Sequence, residues 1–145
     1  MKIRARIAVV TGITAAGLLV LAPAAEANWT SSITNGSPGF ESRRWDDQQY
    51  SQVQFTDCVM YDTIAAPESV DVQMWRDISL APDDSYDNKV FTACFGGGTS
   101  NGEWTDLPTN TVSVYFKLHK VGGRDGKGVT WIDVGKVYAD TTAAD

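Results

Sequence analysis

From Phe40 onward the sequence alternates apolar and polar residues with a period of two, and no window of helix length carries an apolar stripe at i, i+3, i+4 and i+7. Ser51 to Cys58 puts Val53 and Phe55 on one side and Gln52, Gln54 and Thr56 on the other. Val70, Val72 and Met74 alternate with Asp71, Gln73 and Trp75. Further strands are expected over Lys89 to Phe95, over Asn110 to Val121 and over Val129 to Tyr138, with a short one near Phe40 to Trp45. Side chains that alternate across a strand bury one face only, so the pattern predicts an all-β, single-domain antiparallel β-sandwich spanning residues 40–145.

The last two strands flank Gly122-Gly123-Arg124-Asp125-Gly126-Lys127-Gly128, and four glycines in seven residues suit a hairpin loop. Pairing Val121 with Val129 would set Leu118 against Ile132 and Phe116 against Val134 inside. It would set His119 against Trp131 and Lys117 against Asp133 outside. Tyr115, His119 and Trp131 would then share one exposed face.

The N-terminus has a different character. Lys2, Arg4 and Arg6 precede an uncharged run from Ile7 to Leu21, followed by Ala25-Glu26-Ala27. A basic start, a short apolar run and an A-x-A site describe a signal peptide over residues 1–27, so the protein is expected to be secreted and extracellular. The run is too short for a comfortable membrane span and no second one follows, so stable membrane insertion is not expected. Asn28 to Gly39 is rich in turn formers and lacks a sustained period, which predicts a flexible N-terminal arm.

Removing residues 1–27 leaves 118 of the 145 residues, enough for one domain with a core of its own. It also leaves 9 of the 12 basic residues against 17 of the 18 acidic ones, a net charge of −8. Binding to a phosphate backbone needs clustered Lys and Arg, so nucleic acid is a poor partner for this chain. Cys58 and Cys94 are the only cysteines. In an oxidising compartment a lone pair is expected as a disulfide. The interval is too short for an immunoglobulin bridge, and Thr92 stands where that fold has a tyrosine.

Chemistry finds little support in this sequence. His119 is the only histidine, and Ser113 on the same strand face lies about 20 Å away at 3.3 Å per residue, beyond any hydrogen bond. No Gly-x-Ser-x-Gly elbow is present. Zinc lacks ligands. Asp83, Ser85 and Asp87 fall at the first, third and fifth places of a calcium loop, but Asn88 replaces the required glycine and Cys94 the closing glutamate. No enzyme activity, cofactor or metal is therefore expected.

Binding is better supported. Five tryptophans stand at positions 29, 45, 75, 104 and 131. Trp45 and Trp75 suit packing between sheets. Trp104 in the loop Gly96 to Pro108, and Trp131 beside Tyr115 and His119, suit contact with a protein or a glycan. Trp29 and Ile33 would give the arm two apolar anchors for docking into another protein.

The stretches Ser42-Arg43-Arg44-Trp45, Tyr50-Ser51-Gln52-Val53, Met74 to Leu80 and Lys89 to Phe95 resemble those of small secreted actinomycete proteins over about Phe40 to Asp140. The size, export signal, single cysteine pair and loose arm are also similar to the small adaptor subunit of umbrella-type toxin particles, in which a small secreted protein joins a lectin-like subunit to a toxin stalk. That resemblance implies a secreted, non-enzymatic interaction protein whose arm docks into a partner, so truncating the arm should abolish association and leave the fold intact. The alternatives are a carbohydrate or cell-wall binding module using Trp104, Trp131 and Tyr115, and a protease inhibitor presenting the Gly96 to Pro108 loop.

Overall fold

The structure, a computed structural model, describes residues 28–142; the expected signal peptide lies outside them. Eight strands are found among the described residues: β1 (Trp29–Gly36), β2 (Trp45–Asp47), β3 (Ser51–Asp62), β4 (Val70–Arg76), β5 (Asp84–Phe91), β6 (Thr99–Trp104), β7 (Val112–Val121) and β8 (Thr130–Asp140). A single 3-10 turn covers Ala93–Gly96. One sheet has the order β1-β8-β3-β6 and the other β2-β7-β4-β5, every pairing antiparallel. The protein is an all-β sandwich with one disulfide, Cys58–Cys94.

The core is continuous across the two sheets and is threaded by rings meeting edge to face. Trp29 meets Trp45 at 5.3 Å between centroids, Trp45 meets Phe116 at 6.4 Å, Phe116 meets Phe55 at 5.6 Å and Phe55 meets Phe91 at 5.1 Å. Each such pair adds about 0.5–1.5 kcal/mol to the value of burying the rings. The ladder draws its rings from β1, β2, β7, β3 and β5, so it ties both sheets together.

Three expectations are corrected. Residues 28–39 are not a loose arm: Trp29 pairs with Ala139, Ile33 with Val134 and Gly36 with Ile132, and Trp29 and Ile33 are only 8% and 4% exposed. Register shifts between Ser31 and Ile33 and again between Ile33 and Gly36 space the buried residues four and three apart, which removes the period-two signature. The segment Thr99–Trp104, expected within a loop, is edge strand β6. Its inward positions are Ser100, Gly102 and Trp104, so small residues occupy places where alternation looks for aliphatic ones. Gly102 is required there, because a Cβ would lie 2.9 Å from the Phe91 ring.

The third correction concerns the expected hairpin. β7 and β8 belong to different sheets, and the Gly122–Gly128 connection crosses between them. Gly122 turns the chain with φ +60, donates its N–H to the Ser69 carbonyl at 2.8 Å, and has Ala66 where a Cβ would be. Leu118, Phe116, Ile132 and Val134 all enter the one core, but from opposite layers. His119 and Lys117 therefore lie on one outer face of the sandwich, and Trp131 and Asp133 on the other.

Candidate functional site

Of the residues expected to touch a partner, four are buried. Trp29 and Ile33 are core residues of β1. Trp104 is 1% exposed and donates its indole N–H to the Asp87 carbonyl at 2.8 Å. It cannot serve on an inhibitory loop, and residues 99–104 are tied into a ladder with β3. Tyr115 points outward from its sheet yet is 1% exposed, because other side chains cover it. His119 is exposed on β7. Trp131 is half-buried on β8.

The cover over Tyr115 is a closed ionic cluster. Its hydroxyl donates to Asp83 Oδ2 at 2.7 Å, and the Arg44 guanidinium stacks 4.2 Å from the ring centroid. Arg44 also bonds Asp77 at 2.7 Å and Glu41 at 3.3 Å. Lys117 Nζ pairs with Glu41 at 3.0 Å and stands 4.3 Å from the ring centroid of Trp75, which is directly opposite Tyr115 on β4. Every ion in the group has a partner, so the cluster clamps the face instead of offering a binding site. Such exposed pairs contribute little individually, about 0–1 kcal/mol each.

Burial and the bond to Asp83 push the Tyr115 hydroxyl well above its ordinary value of 10.0. The backbone N–H of Ile78 and the Tyr115 hydroxyl hold Asp83 below its ordinary 3.8. A phenol whose folded pKa is raised contributes stability that is complete below pH 10.0 and lost as pH rises through the folded value. In a spectrophotometric titration the latest ionising tyrosine is expected to be Tyr115, and Tyr115→Phe should remove that phase, about one-fifth of the amplitude given five tyrosines.

The supposed calcium ligands are used otherwise. Asp83 accepts from Ile78 N–H at 3.0 Å and from Tyr115, Asp87 pairs with Lys89 at 2.7 Å, and Ser85 lies within β5. No group of three or more His, Cys, Asp or Glu that could hold a metal occurs among the described residues.

Two exposed features escaped the sequence reading. The first is a platform on the outer face of the β1-β8-β3-β6 sheet, where Tyr61 lies directly opposite Trp131 and Val59 opposite Asp133. Val59 and Tyr61 are 49% and 48% exposed. Alternation hides them, because the inward residues of β3 are Val53 and Phe55 and then Cys58, while those of β8 are Ile132 and Val134 and then Val137. The slip falls where Asp57 takes φ +56 opposite Gly135, a glycine whose Cβ would lie 2.9 Å from that of Asp57. No apolar-polar pattern could have signalled it, although Gly135 inside a strand is the residue that makes it possible.

The second is the β4–β5 loop. Leu80 is fully exposed and has φ +64, inside a turn closed by Ala81 N–H donating to the Ile78 carbonyl at 3.3 Å. Glycine or asparagine is usual in such a place, and a leucine there costs about 1–2 kcal/mol. The two oxygens of Asp83 pin the loop to Ile78 and Tyr115.

No protein family, curated protein or solved structure matches this chain.

Proposed function

We propose that this chain is an exported, non-enzymatic interaction protein that binds a protein partner through Val59, Tyr61 and Trp131. The observation that carries the reading is the placement of two aromatic residues, Tyr61 and Trp131, directly opposite each other across strands on an outer face, beside a half-exposed valine. Rigid aromatic anchors dominate protein contacts because they bury much area for little lost freedom. The sheet beneath them is fixed by the core and the disulfide, so the platform is preorganised. The absence of a membrane-crossing helix among the described residues and the presence of a disulfide are compatible with export.

A narrower form of the proposal is an adaptor subunit of an extracellular antibacterial toxin complex, supported by size, the expected export signal and the single cysteine pair. The loose arm no longer supports it, since that segment is β1. A second reading, glycan binding, draws on the Asp133 carboxylate on the same face: its Oδ1 accepts from the Asn35 N–H at 2.7 Å, and its other oxygen is an acceptor of the kind sugar hydroxyls use.

The test is affinity capture of a C-terminally tagged chain from its native culture fluid, alongside Tyr61→Lys and Val59→Lys. A stoichiometric secreted partner that is lost in both variants is expected, with affinity falling at least tenfold. Capture of the chain alone in every form would sink the proposal. Glycan-induced shifts in tryptophan fluorescence, abolished by the same substitutions, would favour the second reading.

A further inference from the structure

Beside the platform the sheet has an open edge. β3 pairs with β8 from Gln52 to Asp62, but with β6 only from Ser51 to Thr56, because β6 begins at Thr99. Over Val59–Asp62 no strand among the described residues lies on the β6 side. Exposure agrees with the pairing: Met60, at an inward position, is only partly buried and Asp62 is exposed, whereas Val53 and Phe55 are fully buried. The chain leading into β6 lays no side chain over this edge. Residues 96–98 are exposed glycines, and a Cβ at Gly96 or Gly97 would meet no atom within 4 Å.

An unpaired strand edge offers backbone donors and acceptors to any extended chain, and folds blunt such edges with bulges or very short strands. The other edges of this sandwich fit that rule or are polar. β1 and β5 pair through register shifts, β2 is three residues long, and β6 turns Thr99, Asn101 and Glu103 outward. The end of β3 has neither device. Its register runs unbroken from Cys58 opposite Val134 to Asp62 opposite Thr130, and its outward side chains are Val59 and Tyr61. Asp57 and Asp133 flank them, and neither makes an ion pair among the described residues, although Asp133 accepts from the Asn35 N–H.

We infer that the protein partner meets the platform as an extended strand, hydrogen-bonded to the edge of β3 over Val59–Asp62 in line with β6. The inference rests on the platform reading and specifies the partner's segment. Main-chain bonds would hold it, and side chains at alternate positions would select it. Aromatic or β-branched residues suit the places beside Val59 and Tyr61. A lysine or arginine suits the end nearest Asp57, whose carboxylate has no cation of its own.

Hydrogen exchange at single amides, read by nuclear magnetic resonance on the whole chain, tests this. The probes are capped peptides of order Lys-Thr-Val-Thr-Tyr and Tyr-Thr-Val-Thr-Lys, which sample both strand directions, at up to ~1 mM. Alone, the amides of Val59–Asp62 that point away from β8 should exchange fast, and one of the peptides should slow them about tenfold. N-methylation of that peptide at alternate residues should abolish the effect for one of the two methylation sets only. Tyr61→Lys and Asp57→Asn should both weaken binding, and asparagine tolerates the φ of +56 at position 57. No slowing with either peptide, slowing along β6 instead, indifference to methylation or to both substitutions, or amides already slow in the chain alone would each overturn the inference. Partner capture decides the platform separately: a captured partner lost in Tyr61→Lys, with no amide slowed by peptide, keeps the platform and removes the strand.

Discussion

A chain lacking residues 28–36 is expected to lose its fold, not merely a binding arm. Deletion removes Trp29 and Ile33 from the core, breaks the first step of the ring ladder and leaves β8 without one of its two neighbours. Truncating a buried Trp costs about 3–5 kcal/mol and a buried Ile about 2–5, so the two together remove roughly 5–10 kcal/mol. That is comparable to the entire stability of a domain this size, about 5–15 kcal/mol. Loss of near-ultraviolet circular dichroism and of cooperative melting is the expected readout. A truncated chain that melts cooperatively near the native temperature would show β1 to be dispensable. The consequence for binding assays is that truncation cannot separate docking from folding, whereas Tyr61→Lys can.

Replacing Cys58 and Cys94 together by Ala has the next largest effect. The bridge spans 36 residues, and in the chain-entropy model closing such a loop contributes roughly 4 kcal/mol. Its position adds to its value. Cys58 lies in β3, while Cys94 sits in the turn that carries the chain from β5 in one sheet to β6 in the other. Cys94 N–H is held by Ser100 Oγ at 2.9 Å, so the crossing keeps one anchor when the sulfurs are gone. The melting temperature should fall by about 15 °C at roughly 4 °C per kcal/mol, with the fold retained at room temperature. Reduction of the native chain should give the same shift. A change under about 3 °C would mean that the aromatic ladder, and not the bridge, secures the crossing.

These two results also mark what can be read from the sequence. Strands such as β4 and β7, with a neighbour on each side in their sheet, are legible because each inward position is aliphatic or aromatic, Val70, Val72, Met74 on one and Val112, Val114, Phe116, Leu118 on the other, while the outward ones are polar apart from the facing pair Trp75 and Tyr115. Edge strands are not, since β6 fills its inward places with Ser100 and Gly102 and β1 interrupts its period twice. The choice between hairpin and crossover at Gly122–Gly128 was equally hidden. Alternation says which face of a strand is buried and says nothing about whether its neighbour lies beside it or across the core. The platform was obscured by the paired slip at Asp57 and Gly135, and the exposed Leu80 turn by backbone geometry that leaves no trace in residue type.

The pairing of β1 with β8 makes the first and last strands of the described fold neighbours, and Asn28 fastens the junction by donating to the Tyr138 hydroxyl at 2.8 Å and accepting from Thr141 N–H at 2.9 Å. The order of synthesis therefore matters. Until the final strand has been made, β1 has no edge to join, and Trp29 has no closed core to enter. Contacts between distant parts of a sequence form slowly, because a long loop must close before they stabilise anything. A ribosome releasing this chain from its N-terminus would thus leave the sandwich open until β8 had emerged, so that the two ends of the described fold close it together in one late step.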